Sequence, residues 1–315
     1  GGFIMSNAIG TLAFRLLLLF SVIGCGFGAY KAKMIDEHTS KQMTNYLNKV
    51  AIPVFLITAV GTKPILDGSI NLVYCGVIMA LYYLIAFGGV YFISMALGKD
   101  RAKRAVYTCM SVIPNCAFVG LPLVRLLLGE NAVPYIGIMM TAFNIVFFTI
   151  GMQMFNKGDK FQFKSLLTPM NIATVIMVVL LLCNIQLGPN LYTFLTQITA
   201  IVSPMCLMII GINIAKTPIK EGLKRPIVWF LSSLKLIIFP VLVQLAILPF
   251  AFPSNMKMAL LIGIACPGST MACVIANQND MEPELASQSV AHSTLFSMIT
   301  MPLLIIFFQQ LYGIM

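Results

Sequence analysis

Apolar runs close to twenty residues long recur from one end of this 315-residue chain to the other. A run of that length is what an α-helix needs to cross the roughly 30 Å hydrocarbon core of a bilayer. Composition agrees, since 59% of the residues are hydrophobic and 10% charged, with a mean hydropathy of +0.93, against roughly 25% charged in soluble domains. The fold class is therefore an all-α integral membrane protein, and no polar stretch is long enough for a soluble domain of useful size. No basic leader with a small-residue cleavage site follows Gly1-Gly2, so the first span is expected to direct insertion.

The runs place ten spans near 8–29, 45–60, 70–97, 104–127, 132–155, 170–186, 191–214, 226–250, 256–278 and 288–312. Cytoplasmic loops retain Lys and Arg, so the distribution of basic residues orients the spans. The odd-numbered connections hold Lys31, Lys33, Lys41, Lys99, Arg101, Lys103, Arg104, Lys157, Lys160, Lys164, Lys216, Lys220, Lys224 and Arg225, whereas the even ones hold only Lys63, Arg125 and Lys257. Odd loops are thus expected in the cytoplasm and both termini outside, as suits a multi-pass protein of the plasma (inner) membrane. The net charge of +10 is mostly this topology signal, with contact to anionic lipid as a further contribution. It gives no reason to expect a nucleic-acid partner.

Two prolines interrupt spans in matched places. The fourth span contains "SVIPNCAFVGLPLV" and the ninth "IACPGSTMAC", placing Pro114 and Pro267 153 positions apart. The second span has "AIPVFLITAVGTKP" and the seventh "VSPMCLMIIGINIAKTP", placing Pro53 and Pro204 151 positions apart. Nearly equal offsets mark an internal repeat, and five spans per half make the second copy enter the membrane from the opposite side. The expected organisation is a first repeat at 1–155, a cytoplasmic linker at 156–169 and an inverted repeat at 170–315. Inverted repeats with interrupted helices are a transporter arrangement, in which half-helix N-termini offer backbone donors and partial positive charge to an anion near the midplane.

The same segments, "IPNCAFVGLPLV", "VAIPVFL", "SPMCLMIIGINIA" and "PGSTMACVIANQNDMEPELASQSVAHSTLFSMITMPL", resemble the auxin efflux carrier family nearly end to end. The specific parts are Pro-Asn followed by Gly-Leu-Pro, and the ending at Ser297, Thr300 and Pro302. The resemblance implies ten helices with broken, crossed helices four and nine, an architecture shared with sodium-coupled bile-acid symporters. It implies a scaffold of helices 1, 2, 6 and 7 that usually dimerises, and a transport part of helices 3–5 and 8–10 moving by an elevator-like shift. The long central loop of plant members is missing, which makes this a short, prokaryotic-type chain. Family site positions fall on Pro114, Asn115, Pro267, Gly268 and Asn144. Gly268 replaces a polar side chain found in other members, which removes one substrate hydrogen bond and argues against a plant-like auxin preference.

Polar residues inside the spans supply the remaining candidates. Asn115, beside Cys116, can offer two amide donors to a carboxylate, and Ser269 and Thr270 extend the same chemistry on the ninth span. Their alternative is to satisfy the local backbone. Lys235 has no acidic partner in its span and reads as an anion counter-charge, a titrating group or a snorkelling cation. His292, near Ser289 and Ser293, is a candidate for proton coupling or a packed neutral histidine, while His38 reads as a loop residue. Arg15 and Lys49 lie near span ends, where snorkelling is expected. The eight cysteines fall inside apolar segments without metal-ligand spacing and read as small core residues. No metal or other cofactor is expected.

The acidic residues Asp36, Glu37, Asp67, Asp100, Glu130, Asp159, Glu221, Asp280, Glu282 and Glu284 all fall in connections or at span ends. Cation antiporters depend on buried acids, so sodium/proton exchange is disfavoured. The spans contain no catalytic constellation and an enzyme is not expected. The sequence points to a secondary transporter of small organic anions, with a carboxylate as the expected cargo chemistry, held by Asn115 and the half-helix N-termini. A sodium- or proton-coupled organic-anion symporter of bile-acid type and a non-transporting intramembrane sensor are the alternatives.

Overall fold

The computed structural model describes residues 18–61, 70–155, 167–216 and 219–313, and the regular elements within them are all helices. In chain order the helices are α1 (Leu18–Lys31), α2 (37–58), α3 (Ile70–Ala96), α4a (Arg101–Val112), α4b (Cys116–Leu128), α5 (Glu130–Phe155) and α6 (Pro169–Leu182). They are followed by α7 (Pro189–Lys216), α8 (Pro226–Ile247), α9a (Ser254–Ala265), α9b (Thr270–Gln278) and α10 (Pro283–Leu311). By length and apolarity α3, α5, α7, α8 and α10 can each cross a membrane, and α1, α4b, α6 and α9a are shorter apolar helices. The first part of the first span with Arg15, the turn with Lys63, Pro64 and Asp67, the linker residues Lys157, Asp159, Lys160 and Lys164, and Pro218 lie outside the described residues.

Helix starts follow local chemistry rather than hydropathy. Asp36 accepts the Thr39 N–H at 2.8 Å, Asp100 that of Lys103 at 2.8 Å, and Thr168 that of Asn171 at 3.1 Å, each satisfying an orphan donor of the first turn. Pro169, Pro189, Pro226 and Pro283 open their helices, where a missing N–H costs nothing. The helix around the second span consequently begins at Glu37, not at 45, because a capped polar turn continues beyond the apolar run. His38 lies in that first helical turn rather than in a loop. The last helix begins at Pro283, five residues ahead of the apolar run, without a side-chain cap; there the proline itself opens the first turn.

Of four widened π-turns among the described residues, Leu47–Ala51, Cys116–Gly120 and Leu234–Ile238 stand just ahead of Pro53, Pro122 and Pro240, while Phe147–Gly151 has no proline after it. Proline neither donates to the carbonyl four residues back nor tolerates it close by, and the widened turn relieves the clash while the helix continues. Lys235 falls inside the Leu234–Ile238 turn.

Two glycines set the closest helix approach. A methyl at Gly26 would collide with the Met208 carbonyl, and one at Gly211 with the Ile23 carbonyl, so α1 and α7 touch backbone to backbone. Elsewhere α2 packs on α6 and α7, α3 on α4a and α5, α8 on α9a and α10, and α7 reaches α4b and α10. The two interrupted helices sit between these layers, with α9a against α4b and α5, and α9b against α4a and α10.

Candidate functional site

Helix α4a stops at Val112 and resumes as α4b at Cys116, and α9a stops at Ala265 and resumes as α9b at Thr270. The two interruptions pair with each other. Pro114 and Gly268 face one another in an antiparallel bridge. The Asn115 N–H donates to the Pro267 carbonyl at 2.8 Å, and the Ser269 N–H donates to the Ile113 carbonyl at 3.1 Å. Each break thus satisfies backbone groups that the other frees, which answers how apolar surroundings tolerate two prolines and an extended segment. The Gly268 N–H goes to Ser293 Oγ of α10 at 3.0 Å. A methyl at Gly268 would stand 3.2 Å from the Met110 carbonyl oxygen and 3.4 Å from Ser293 Oγ, so the smallest residue lets α4a, α9 and α10 meet.

Beyond the pairing, α4b and α9b begin beside a small cavity of about 300 Å³ lined by Asn115, Ile210, Asn213, Ile214, Thr270, Val290, Ala291 and Thr294. Asn115 occupies the N-cap position of α4b, yet its side chain makes no capping bond. The amide is 8% exposed and hydrogen-bonds to nothing among the described residues. At the second break the arrangement differs, since Ser269 caps α9b by accepting the Ala272 N–H at 3.4 Å and Thr270 faces the cavity. A second, apolar cavity of about 480 Å³ adjoins the first through the shared residues Ile210 and Thr294, and is lined by α1, α4b, α7 and α10, including Leu19, Phe20, Ser297 and Pro302.

The remaining sequence candidates are placed elsewhere. Lys235 is fully buried and lines neither cavity; its ammonium donates to the Val112 carbonyl at 3.1 Å and the Ile264 carbonyl at 2.9 Å. The Tyr82 hydroxyl donates to the same Val112 carbonyl at 3.0 Å. The Cys116 thiol turns away from the cavity toward the Gly263 carbonyl, 3.4 Å away. Asn144 gives its amide to Asn171 Oδ1 at 2.8 Å, joining α5 to α6. His292 shares a 2.8 Å hydrogen bond with Ser232 Oγ through Nδ1, packs in one ring cluster with Trp229 and Phe296, and leaves Nε2 buried without a partner among the described residues. Lys49 is exposed on its π-turn.

The structure also adds Asn213 and Thr294, which were not singled out in the sequence. Asn213 is a lone amide in the apolar run "LMIIGINIA", and Thr294 stands one turn before Ser297 on an apolar helix. Isolated polar residues in spans are the signal that marks them.

Formal charge gathers at the helix ends. Lys103 pairs with Asp100 at 3.2 Å and Glu282 at 3.8 Å, Arg225 with Glu284 at 3.1 Å, and Arg125 with Glu130 at 2.7 Å. The Lys103 backbone N–H, then its side chain, hold the Asp100 carboxyl below the usual range. Among the described residues no acidic side chain lines either cavity. Chemically, the paired breaks present an unengaged amide, a hydroxyl and two helix N-termini to a cavity without negative charge, which is a setting for an anion rather than a cation.

Comparison with known proteins identifies a transporter family and no substrate. The sequence profile described as membrane transport protein matches residues 12–164 and 158–305. A protein of Methanothermobacter thermautotrophicus described as an uncharacterized transporter is 20% identical over 274 residues, covering 86% of this chain and 89% of that one. With both halves matched and apolar helices throughout, the chain is a multi-pass membrane protein that belongs to the membrane transport protein family, the family of the auxin efflux carriers.

Proposed function

We propose that this chain is a secondary carrier of small organic anions, carboxylates above all, working by alternating access around the paired breaks. In this reading α4a–α4b and α9a–α9b are the crossed helices four and nine of two inverted five-helix repeats. Helices one, two, six and seven form the scaffold and dimer surface, and the rest carry the site across the membrane in an elevator-like shift. The odd connections face the cytoplasm and both termini face outward, in a plasma membrane. The observation that carries the proposal is the Asn115 amide, buried beside two half-helix N-termini and lining a cavity that, among the described residues, has no acid and no side chain that engages the amide. A carboxylate there would accept from the amide and from first-turn N–H groups, while Thr270 and Ser269 shape its seat.

Radiolabelled counterflow in proteoliposomes tests it. Wild-type protein exchanges at least one carboxylate; Asn115→Ala weakens exchange at least tenfold, the loss of one hydrogen bond to a charged group, and Asn115→Asp, which adds a like charge, abolishes it. Unchanged exchange in Asn115→Asp would contradict the proposal, and specific binding without exchange would select the sensor reading.

Proton coupling is a second reading, supported by the unpartnered Nε2 of His292 on a helix that donates Ser293 to the second break. A pH gradient that accelerates uptake in wild type but not in His292→Gln would establish it. Equal acceleration in both would dismiss that histidine.

A further inference from the structure

Lys235 combines features that a snorkelling or substrate-touching lysine would not have. It is 0% exposed. Its two hydrogen bonds reach Val112, the last residue of α4a, and Ile264, in the last turn of α9a. The ion-paired acids of the described segments, Asp100, Glu130, Glu282 and Glu284, are committed to Lys103, Arg125 and Arg225 at the helix ends. Lys235 is therefore a single positive charge bonded to both broken helices, and it goes wherever their pairing goes.

The charge count at the breaks follows. A helix end carries roughly half an elementary charge, negative at the C-terminus and positive at the N-terminus. Two C-termini, those of α4a and α9a, converge on Lys235 and are offset by it, at roughly −1 against +1. Two N-termini, those of α4b and α9b, are left at the cavity with roughly +1 between them and no acid to oppose it.

We propose that Lys235 fixes the valence of the cargo at one. A singly charged carboxylate neutralises the paired breaks, so the loaded carrier crosses the membrane close to electrically silent, and the empty carrier makes the voltage-sensitive return. A dicarboxylate would leave a net negative charge on the moving part. Lys235 acts through the helix ends, without touching the cargo, as a positioning and counter-charge residue. This inference rests on the carrier reading above and deepens it by naming the cargo as a monoanion.

The experiment is tracer counterflow of lactate, benzoate, malonate and malate in proteoliposomes, with the potential set at zero or at 100 mV by potassium and valinomycin. Crossing a 100 mV potential biases a unit charge about 50-fold, or about 7-fold on a rate whose barrier lies midway. Wild type should exchange a monocarboxylate in preference to the dicarboxylates, at a rate the same at both potentials. In Lys235→Gln the loaded carrier bears −1, so the rate should change by about 7-fold between potentials, while Lys235→Arg restores indifference. Wild-type comparisons alone keep the proposal open to refutation if Lys235→Gln does not fold. Preference for a dicarboxylate, potential-dependent monocarboxylate exchange in wild type, or potential-independent exchange in Lys235→Gln overturns the counter-charge. Absence of exchange for all four anions overturns the carrier reading, and the inference with it.

Discussion

The contact between α1 and α7 is made by two glycines that face each other's backbone, and adding one methyl to either should be felt strongly. A Cβ on Gly26 would stand 2.7 Å from Met208 Cα, and one on Gly211 would stand 2.7 Å from the Phe27 nitrogen. Carbon atoms rest about 3.5–4.0 Å apart, so the helices must separate by about 1 Å, which forfeits a quarter to a half of the dispersion well along the seam. Backbone cannot rotate out of the way as a side chain can. Each of Gly26→Ala and Gly211→Ala should therefore cost about 2–3 kcal/mol, the upper part of the overpacking range. The double variant should cost little more than one, because the separation forced by the first methyl admits the second, giving a coupling of about 2 kcal/mol. Reversible unfolding in mixed detergent micelles, followed by far-ultraviolet circular dichroism, measures all three. Single variants within about 0.5 kcal/mol of wild type, or additive costs in the double variant, would refute the close approach.

Ser293→Ala should leave the buried Gly268 N–H without its 3.0 Å acceptor and lower stability by about 1–3 kcal/mol, with Ser293→Thr recovering part of it in the same unfolding assay. Replacing Asn171 by Leu should take away the 2.8 Å acceptor of the buried Asn144 amide at a similar cost, read in the same assay. Asp100→Ala removes the N-cap of α4a and should cost about 1 kcal/mol at neutral pH. Because the folded carboxyl titrates below its ordinary value of 3.8, its contribution is present above that value and fades as the pH falls further. The wild-type and Asp100→Ala midpoints should accordingly converge in strong acid.

The interruptions were legible because proline has no N–H to hide: Pro114 and Pro267 had to be breaks or kinks wherever they stood, and their matched offset suggested a shared purpose. What the sequence did not reveal is the partner of each freed group. That the Asn115 N–H reaches the Pro267 carbonyl and the Ser269 N–H the Ile113 carbonyl, across 150-odd positions, depends on how the halves meet, which no local pattern encodes. The same holds for Lys235, whose lack of an acid was visible, while its use of two helix C-termini was not. Asn144 was placed at the site by resemblance, and a nearer amide at Asn171 engages it. Asn213 and Thr294 escaped notice because one amide and one hydroxyl scarcely alter the hydropathy of their spans. Helix starts ran past the apolar limits because the Asp36 cap at Glu37 and the proline at Pro283, not burial, decide where those helices begin.

The most direct measurement is electrical. Protein in liposomes on a solid-supported membrane is exposed to a panel of carboxylates in sodium-free buffer, and the displaced charge is recorded for wild type and Asn115→Ala. The account expects a saturable, sodium-independent current for at least one carboxylate that is lost in Asn115→Ala. A current that requires sodium, or one that Asn115→Ala leaves unchanged, would contradict it.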